Sequence, residues 1–180
     1  MSRVYVISDM HLGHERICEF GHRQGANVEE HDAWLIDAWK STVLKRDLVF
    51  VLGDIAFTPE ALVAFGELPG SKKLIMGNHD ELPVERYSEH AKVLPGLFRY
   101  KRMWLSHAPI HPNELYDKCN VHGHVHHKTV DDSRYLNVSV DALKDGKPMP
   151  MAQVFAWRDS VQQRPKELST RINSTYPQVG

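Results

Sequence analysis

A chain of 180 residues with 42% hydrophobic and 25% charged content has the size and make-up of one globular domain. Its formal net charge of −1 excludes a broad basic footprint for nucleic acid but leaves room for a local phosphate site. No apolar run approaches membrane-spanning length, and the opening MSRVYVISDMHLGH puts acid and histidine where a signal peptide needs apolar residues, so a cytoplasmic protein is expected.

In chain order, RVYVIS at 3–8 is rich in β-branched and aromatic residues and ends in polar DMHLGH. This predicts a buried strand that delivers Asp9 and His11 at its carboxyl end. NVEEHDAWLIDAWKSTV predicts a helix with Asn27 as N-cap and Glu30 in a capping-box position. Trp34, Leu35, Ala38 and Trp39 recur at helical spacing, which places both tryptophans in the core rather than against a ligand. DLVFVLGDIAF is a second strand running out at Gly53-Asp54. TPEALVAFGEL is a second helix, with Thr58 as N-cap and Pro59 at its first position, stopping near Leu68-Pro69-Gly70. KKLIMGNHD is a third strand ending in a polar turn. Such alternation marks an α/β fold, and α/β folds bind ligands at the carboxyl ends of their strands.

The second half changes character. KVLPGLFRYKRMWLSHAP, CNVHGHVH and RYLNVSVDAL predict strands joined by short loops, while PMAQVFAWR fits a strand or, preferably, a closing helix. One domain over 1–165 is expected, with a loosely attached polar tail over 166–180. Cys18 and Cys119 form no CxxC pair and read as free thiols. The stretch CNVHGHVHHK crowds His122, His124, His126 and His127 around one glycine. Strand alternation would put the first three on one face, which suits a metal better than a core; a His-rich surface loop is the other reading.

The strand ends carry the chemistry. Asp9-x-His11 follows the first strand, Gly53-Asp54 the second and Gly77-Asn78-His79-Asp80 the third; SHAP then supplies His107, and GHVH supplies His124 and His126. Each group alone is weak. Together, in this order, they resemble the calcineurin-like metallophosphoesterase superfamily, whose blocks are DxH, GD, GNH[DE], H and GHxH, and in particular its small single-domain bacterial and phage members. The resemblance spans residues 9 to 126. It implies an α/β fold, a two-sheet αββα sandwich with a dinuclear metal site at the strands' carboxyl edge. One divalent metal would take Asp9, His11 and His126, the other Asn78, His107 and His124, with Asp54 bridging them. The bridge makes physical sense, because two neighbouring cations need an anion between them. Manganese is the expected metal, with iron, zinc or nickel as alternatives.

The same resemblance implies hydrolysis of phosphate esters by a hydroxide attacking phosphorus in line, with His79 as a non-ligand histidine that protonates the leaving group or stabilises the transition state. Phosphoprotein phosphatases place an acid three residues after the bridging aspartate to orient that histidine. Here Phe57 stands there, and Asp80 either orients His79 instead or simply caps the turn. His14 is expected behind the metals or against phosphate, His111 at the substrate edge, and His122 and His127 in structural or solvent-facing positions. Gly123 is expected where a side chain would crowd the metals. The expected partner is a phosphate-ester substrate, with small or nucleotide-like phosphodiesters preferred. A monoesterase, a protein phosphatase or a nuclease on the same site are the alternatives, and nucleic acid enters only as substrate. A non-catalytic scaffold is disfavoured because no ligand position is eroded, and no membrane partner is expected. Arg99, Lys101 and Arg102 could form a small basic patch, or simply the exposed face of a strand.

Overall fold

The computed structural model describes residues 1–20 and 23–163; the expected tail over 166–180 lies outside them. The chain runs through β1 (Val4–Ile7), α1 (Val28–Thr42), β2 (Leu48–Val51), α2 (Pro59–Glu67), β3 (Ser71–Leu74), α3 (Val84–Ser88) and β4 (Lys92–Val93). It continues through β5 (Leu97–Tyr100), β6 (Met103–Ser106), β7 (Cys119–His122), β8 (Tyr135–Asn137), α4 (Val140–Leu143), β9 (Met149–Pro150) and α5 (Met151–Gln162).

The strands form two sheets, ordered β4-β3-β2-β1-β9 and β5-β6-β7-β8. In the first, β1 to β4 are parallel and β9 joins antiparallel, with Tyr5 opposite Val49 and Val49 opposite Lys72. Alternation sends Tyr5, Ile7, Val49 and Val51 against α1 and α2, where they meet Leu35, Trp39, Leu62 and Phe65. It sends Val6 and Phe50 the other way, onto Met103, Leu105, Cys119 and Val121 of the second sheet. A sheet buried on both faces explains the nearly continuous apolar runs in β1 and β2. Met151 and Val154 of α5 pack into the core between the sheets. The outer face of the second sheet is covered by the loop around 108–118: Ile110 N–H donates to Asn120 Oδ1 at 3.0 Å, and Tyr135 OH donates to the Ile110 carbonyl at 2.6 Å. That outer layer is a loop with one 3-10 turn, Pro112–Glu114, rather than a long helix. Among the described residues no helix is long and apolar enough to cross a membrane.

Local structure departs from the sequence reading at a few joints. Asn27 caps α1 by accepting from Glu30 N–H at 2.9 Å, but Glu30 reaches Ala26 N–H rather than closing the box on Asn27. VDAL, expected to continue a strand, is α4. Ser139 ends the strand by capping the next turn, accepting from Ala142 N–H. PMAQVFAWR is the closing helix, α5, entered from Pro150 at the end of β9. The short α3 carried no periodic signal. Lys101 and Arg102 are not on a strand face: with φ of +45° and +63° they make the tight turn between β5 and β6.

Candidate metal centre

The chain leaves β1, β2 and β7 in left-handed backbone conformation. Asp9, His11, Asp54, His124 and His126 have φ of +59°, +52°, +53°, +68° and +53°. Aspartate and histidine tolerate this region better than most residues, but each such residue still costs on the order of 1 kcal/mol or more and persists only where its surroundings enforce it. Here the loops lace together. Asp9 N–H donates to the Gly53 carbonyl, His11 N–H to that of Asp54 and Leu12 N–H to that of Ile55, at 3.0, 3.0 and 2.9 Å. The tight turns also correct the expectation for CNVHGHVHHK: β7 ends at His122, so no strand face carries three histidines. His122 is buried with its ring against Tyr135, and His127 is exposed.

The ligand candidates converge in two sets. Asp9, His11 and His126 each bring one ligand atom within 4.8 Å of the others, as do Asp9, Asp54 and His107. Around His107, Asn78 Oδ1 lies 2.9 Å from His107 Nε2 and 2.8 Å from His124 Nδ1, and the two nitrogens are 3.2 Å apart. A triangle with such edges matches neighbouring ligands around an octahedral cation, which stand about 3 Å apart for bonds of about 2.1 Å. Asp54 Oδ2 sits between the sets, 3.6 Å from His11 Nε2 and 3.4 Å from His107 Nε2. His107 is aimed by its other nitrogen, which donates to the Leu52 carbonyl at 2.7 Å. His126 is aimed by Asp141, whose Oδ2 lies 2.9 Å from Nδ1.

The residues fit a metal on physical grounds. His11 is 3% exposed, and among the described residues neither ring nitrogen has a hydrogen-bond partner, an expensive condition that a bound cation would relieve. Burial, with Arg23 and neighbouring histidines adding to it, lowers His11 to about 2 and keeps it in the neutral form that ligates. Burial raises Asp9 despite the His124 N–H shared between its two oxygens, a shift that a bound cation would oppose. His126 shifts up through its bond to Asp141. Burial alone would raise Asp141, but His126 and Arg23 hold it well below the usual carboxylate range.

The other expected residues fall in different places. His79 presents an exposed ring beside the metal ligands, 5.7 Å from the His11 ring, and its backbone N–H donates to Asp54 Oδ1 at 2.9 Å. Asp80 does not turn its carboxylate to that ring. It accepts from the N–H groups of Asp54, Ile55 and Gly77 at 2.9, 2.8 and 2.8 Å, clamping the loop after β2 to the loop after β3. The ring instead stacks on Phe57 at 5.3 Å, the residue that stands where the phosphatases have an acid. Phe57 also meets His14 edge-on at 4.3 Å and His11 at 5.3 Å, which puts His14 at the mouth of the site. His111 lies on the exposed loop over the second sheet and caps the 3-10 turn, its Nδ1 accepting from Asn113 N–H at 3.3 Å. Gly123 is a close approach, as expected, but what a Cβ would strike is Ser8 and Asp9. Sequence reasoning gave no role to the ring of Phe57 and missed Asp141 and Arg23. An exposed aromatic three residues after Gly-Asp was a usable signal for the first; nothing local marked the others.

A two-sheet α/β sandwich that gathers aspartate, histidine and asparagine at its strand ends is the architecture of a metallophosphoesterase. The chain belongs to the calcineurin-like phosphoesterase family, whose profile matches residues 2–171, a family dependent on two metal ions. It is 46% identical over 85 residues to the gene 66 protein of Mycobacterium phage L5, a match spanning 44% of this chain and 41% of that protein. It is 30% identical over 189 residues to the gene 66 protein of Mycobacterium phage D29, covering 83% of this chain and 93% of the relative. An uncharacterized protein of Methanocaldococcus jannaschii is 30% identical over 142 residues, 76% of this chain and 77% of its own length. Among solved structures, a protein of unknown function from Aquifex aeolicus superposes with a TM-score of 0.70 at 23% identity, covering 87% of this chain and 99% of that one, a likeness of fold.

Proposed function

We propose that this protein hydrolyses phosphodiesters of small or nucleotide-like substrates at a dinuclear centre held by Asp9, His11, Asp54, Asn78, His107, His124 and His126. The observation that carries the reading is the position of Asp54 Oδ2 between His11 and His107, where one carboxylate serves both ligand sets. Two divalent cations bound there would supply Lewis acidity toward phosphoryl oxygens and a water of lowered pKa. The protein supplies the rest. Its interlocked left-handed loops hold the ligands in place before substrate arrives.

His79 stands free of both sets and protonates the leaving-group oxygen, its ring held in place by the face of Phe57. Beside it lies a cavity of about 280 Å³ lined by Ala56, Phe57, His79, Glu81 and Leu82. Phe57 is 37% exposed, so a planar leaving group, such as the base of a nucleotide, has an aromatic surface to meet there. This supports the nucleotide-like preference. A domain ending near residue 165 and a reducing, cytoplasmic setting belong to the same reading; the free thiols of Cys18 and Cys119 accord with that setting.

The test is a rate comparison with Mn²⁺ on bis-p-nitrophenyl phosphate, p-nitrophenyl phosphate and nucleotides. Faster turnover of the diester, abolished by chelation and restored by Mn²⁺, is expected. Faster monoester turnover would overturn the diester preference, and no hydrolysis of any of them would overturn the enzyme reading.

A further inference from the structure

Arg23 is the most completely enclosed cation near the site, its side chain only 1% exposed. Burying a guanidinium is costly unless every donor is matched, and here every donor nitrogen is. Nη2 donates to the Asp9 carbonyl at 2.6 Å and to Asp141 Oδ2 at 2.8 Å. Nη1 donates to the Met10 carbonyl at 2.9 Å, and Nε lies 3.2 Å from Asp141 Oδ1, completing a two-pronged pair with that carboxylate. Nη1 is also 3.2 Å from His31 Nε2; because arginine can only donate, Nε2 accepts and His31 carries its proton on Nδ1. That proton points to Asp32 Oδ1 at 2.9 Å, and Asp32 Oδ2 accepts from Gly13 N–H at 2.8 Å. Arg23 thus ties the loop after β1 to Asp141, 118 positions beyond the arginine in sequence.

We propose that Arg23 and Asp141 are positioning residues for one of the two metals, the ion on Asp9, His11 and His126, and leave its neighbour's binding alone; this rests on the dinuclear reading above. The selectivity follows from where the contacts go. Arg23 grips the carbonyls of Asp9 and Met10, the two residues just before His11. Asp141 takes His126 Nδ1 at 2.9 Å, so that ring has only Nε2 to offer, and it lies stacked on His11 with centroids 5.0 Å apart. No hydrogen bond of Arg23 or Asp141 reaches Asn78, His107 or His124 among the described residues, and His107 is aimed by the Leu52 carbonyl instead. A guanidinium this close to cation ligands works against metal binding unless its charge is cancelled. The paired Asp141 cancels it and keeps its own oxygens from swinging in as ligands. A carboxylate behind a ligating imidazole also fixes the ring and raises its basicity.

The experiment is Mn²⁺ titration of the full chain, by calorimetry and by electron paramagnetic resonance, with no substrate present. Wild type should take up two ions and show a spin-coupled pair. Asp141→Asn, nearly isosteric, should weaken one of the two sites by about 10–100-fold while the other keeps its affinity. The coupled signal should give way to that of an isolated ion. Arg23→Lys, which keeps the charge but loses the fork, should do the same to a smaller degree, and it carries the test alone if Asp141→Asn does not fold. Asp47→Asn is the control. Asp47 is equally buried, but it accepts from Arg3 and Leu44 N–H away from the metals, so the variant should lose thermal stability and keep both affinities. Equal weakening of both sites would reduce Arg23 and Asp141 to general scaffolding, and unchanged affinities would refute any role. If wild type took up no second ion, the dinuclear reading itself would fail, and this inference with it.

Discussion

Asp54 and His79 touch each other through a backbone hydrogen bond, yet they are assigned separable tasks. In the proposed centre Asp54 is the anion between two cations, so Asp54→Asn removes the charge that would offset their repulsion while keeping the shape. It should be the most damaging single ligand change, lowering metal content and turnover together; a variant with full metal occupancy and rate would disprove the bridge. His79 ligates nothing in this scheme. His79→Ala should keep both metals by elemental analysis and slow turnover by about 10²–10⁴-fold. The loss should be largest for alkoxide-like leaving groups and smallest for nitrophenolate, which departs without a proton. Equal loss across leaving groups would point to electrostatic or positioning work instead.

At the scale of elements, the joints between strands and loops hold the site. Asp80 bonds three N–H groups across two loops, so Asp80→Ala strands them in the interior at roughly 1–3 kcal/mol each. A lowered melting temperature is expected, with weaker uptake of both metals rather than one, because the clamped segments carry Asp54 and Asn78. Lys72 of β3 tests a different joint. It is buried and donates to the carbonyls of Gly66 and Leu68 at the end of α2, and burial lowers it from 10.5 to about 8. Between pH 8 and 10.5 the unfolded chain therefore holds a proton that the folded chain has released. Stability from this residue grows as pH rises through that window and is lost as pH falls to about 8. Lys72→Met should flatten the pH dependence of unfolding there by at most one proton, about 1.4 kcal/mol per pH unit. An unaltered slope in urea titrations would mean Lys72 is not titrating as described.

At the scale of the whole molecule, two sheets converge so that loops from β1, β2, β3, β6 and β7 meet at one end, and metal bound there would tie both sheets together. Mn²⁺ should therefore stabilise the fold, by about 2.7 kcal/mol for each site held at a hundred times its dissociation constant. A rise in melting temperature with Mn²⁺, reversed by chelation, checks this. A flat melting temperature would mean that the metals do not bind the native state in preference to the unfolded one.

The strand–helix order and the caps at Asn27 and Thr58 were legible in the sequence, as were the motifs that carry the candidate ligands, because short-range patterns report local geometry and those motifs sit next to the strands that carry them. Asp80's real partners, the ring of Phe57 on His79 and the Arg23–Asp141 pair were not. Each depends on backbone or side-chain atoms brought together from distant positions, and no spacing along the chain encodes such a meeting. The histidine cluster shows the division plainly. The family motif pointed to His124 and His126 as candidate ligands, but only the end of β7 at His122 and the left-handed turns after it set how those two rings are presented. Gly123 packs there against Ser8 and Asp9, a contact between two sheets that exists only once the chain has folded.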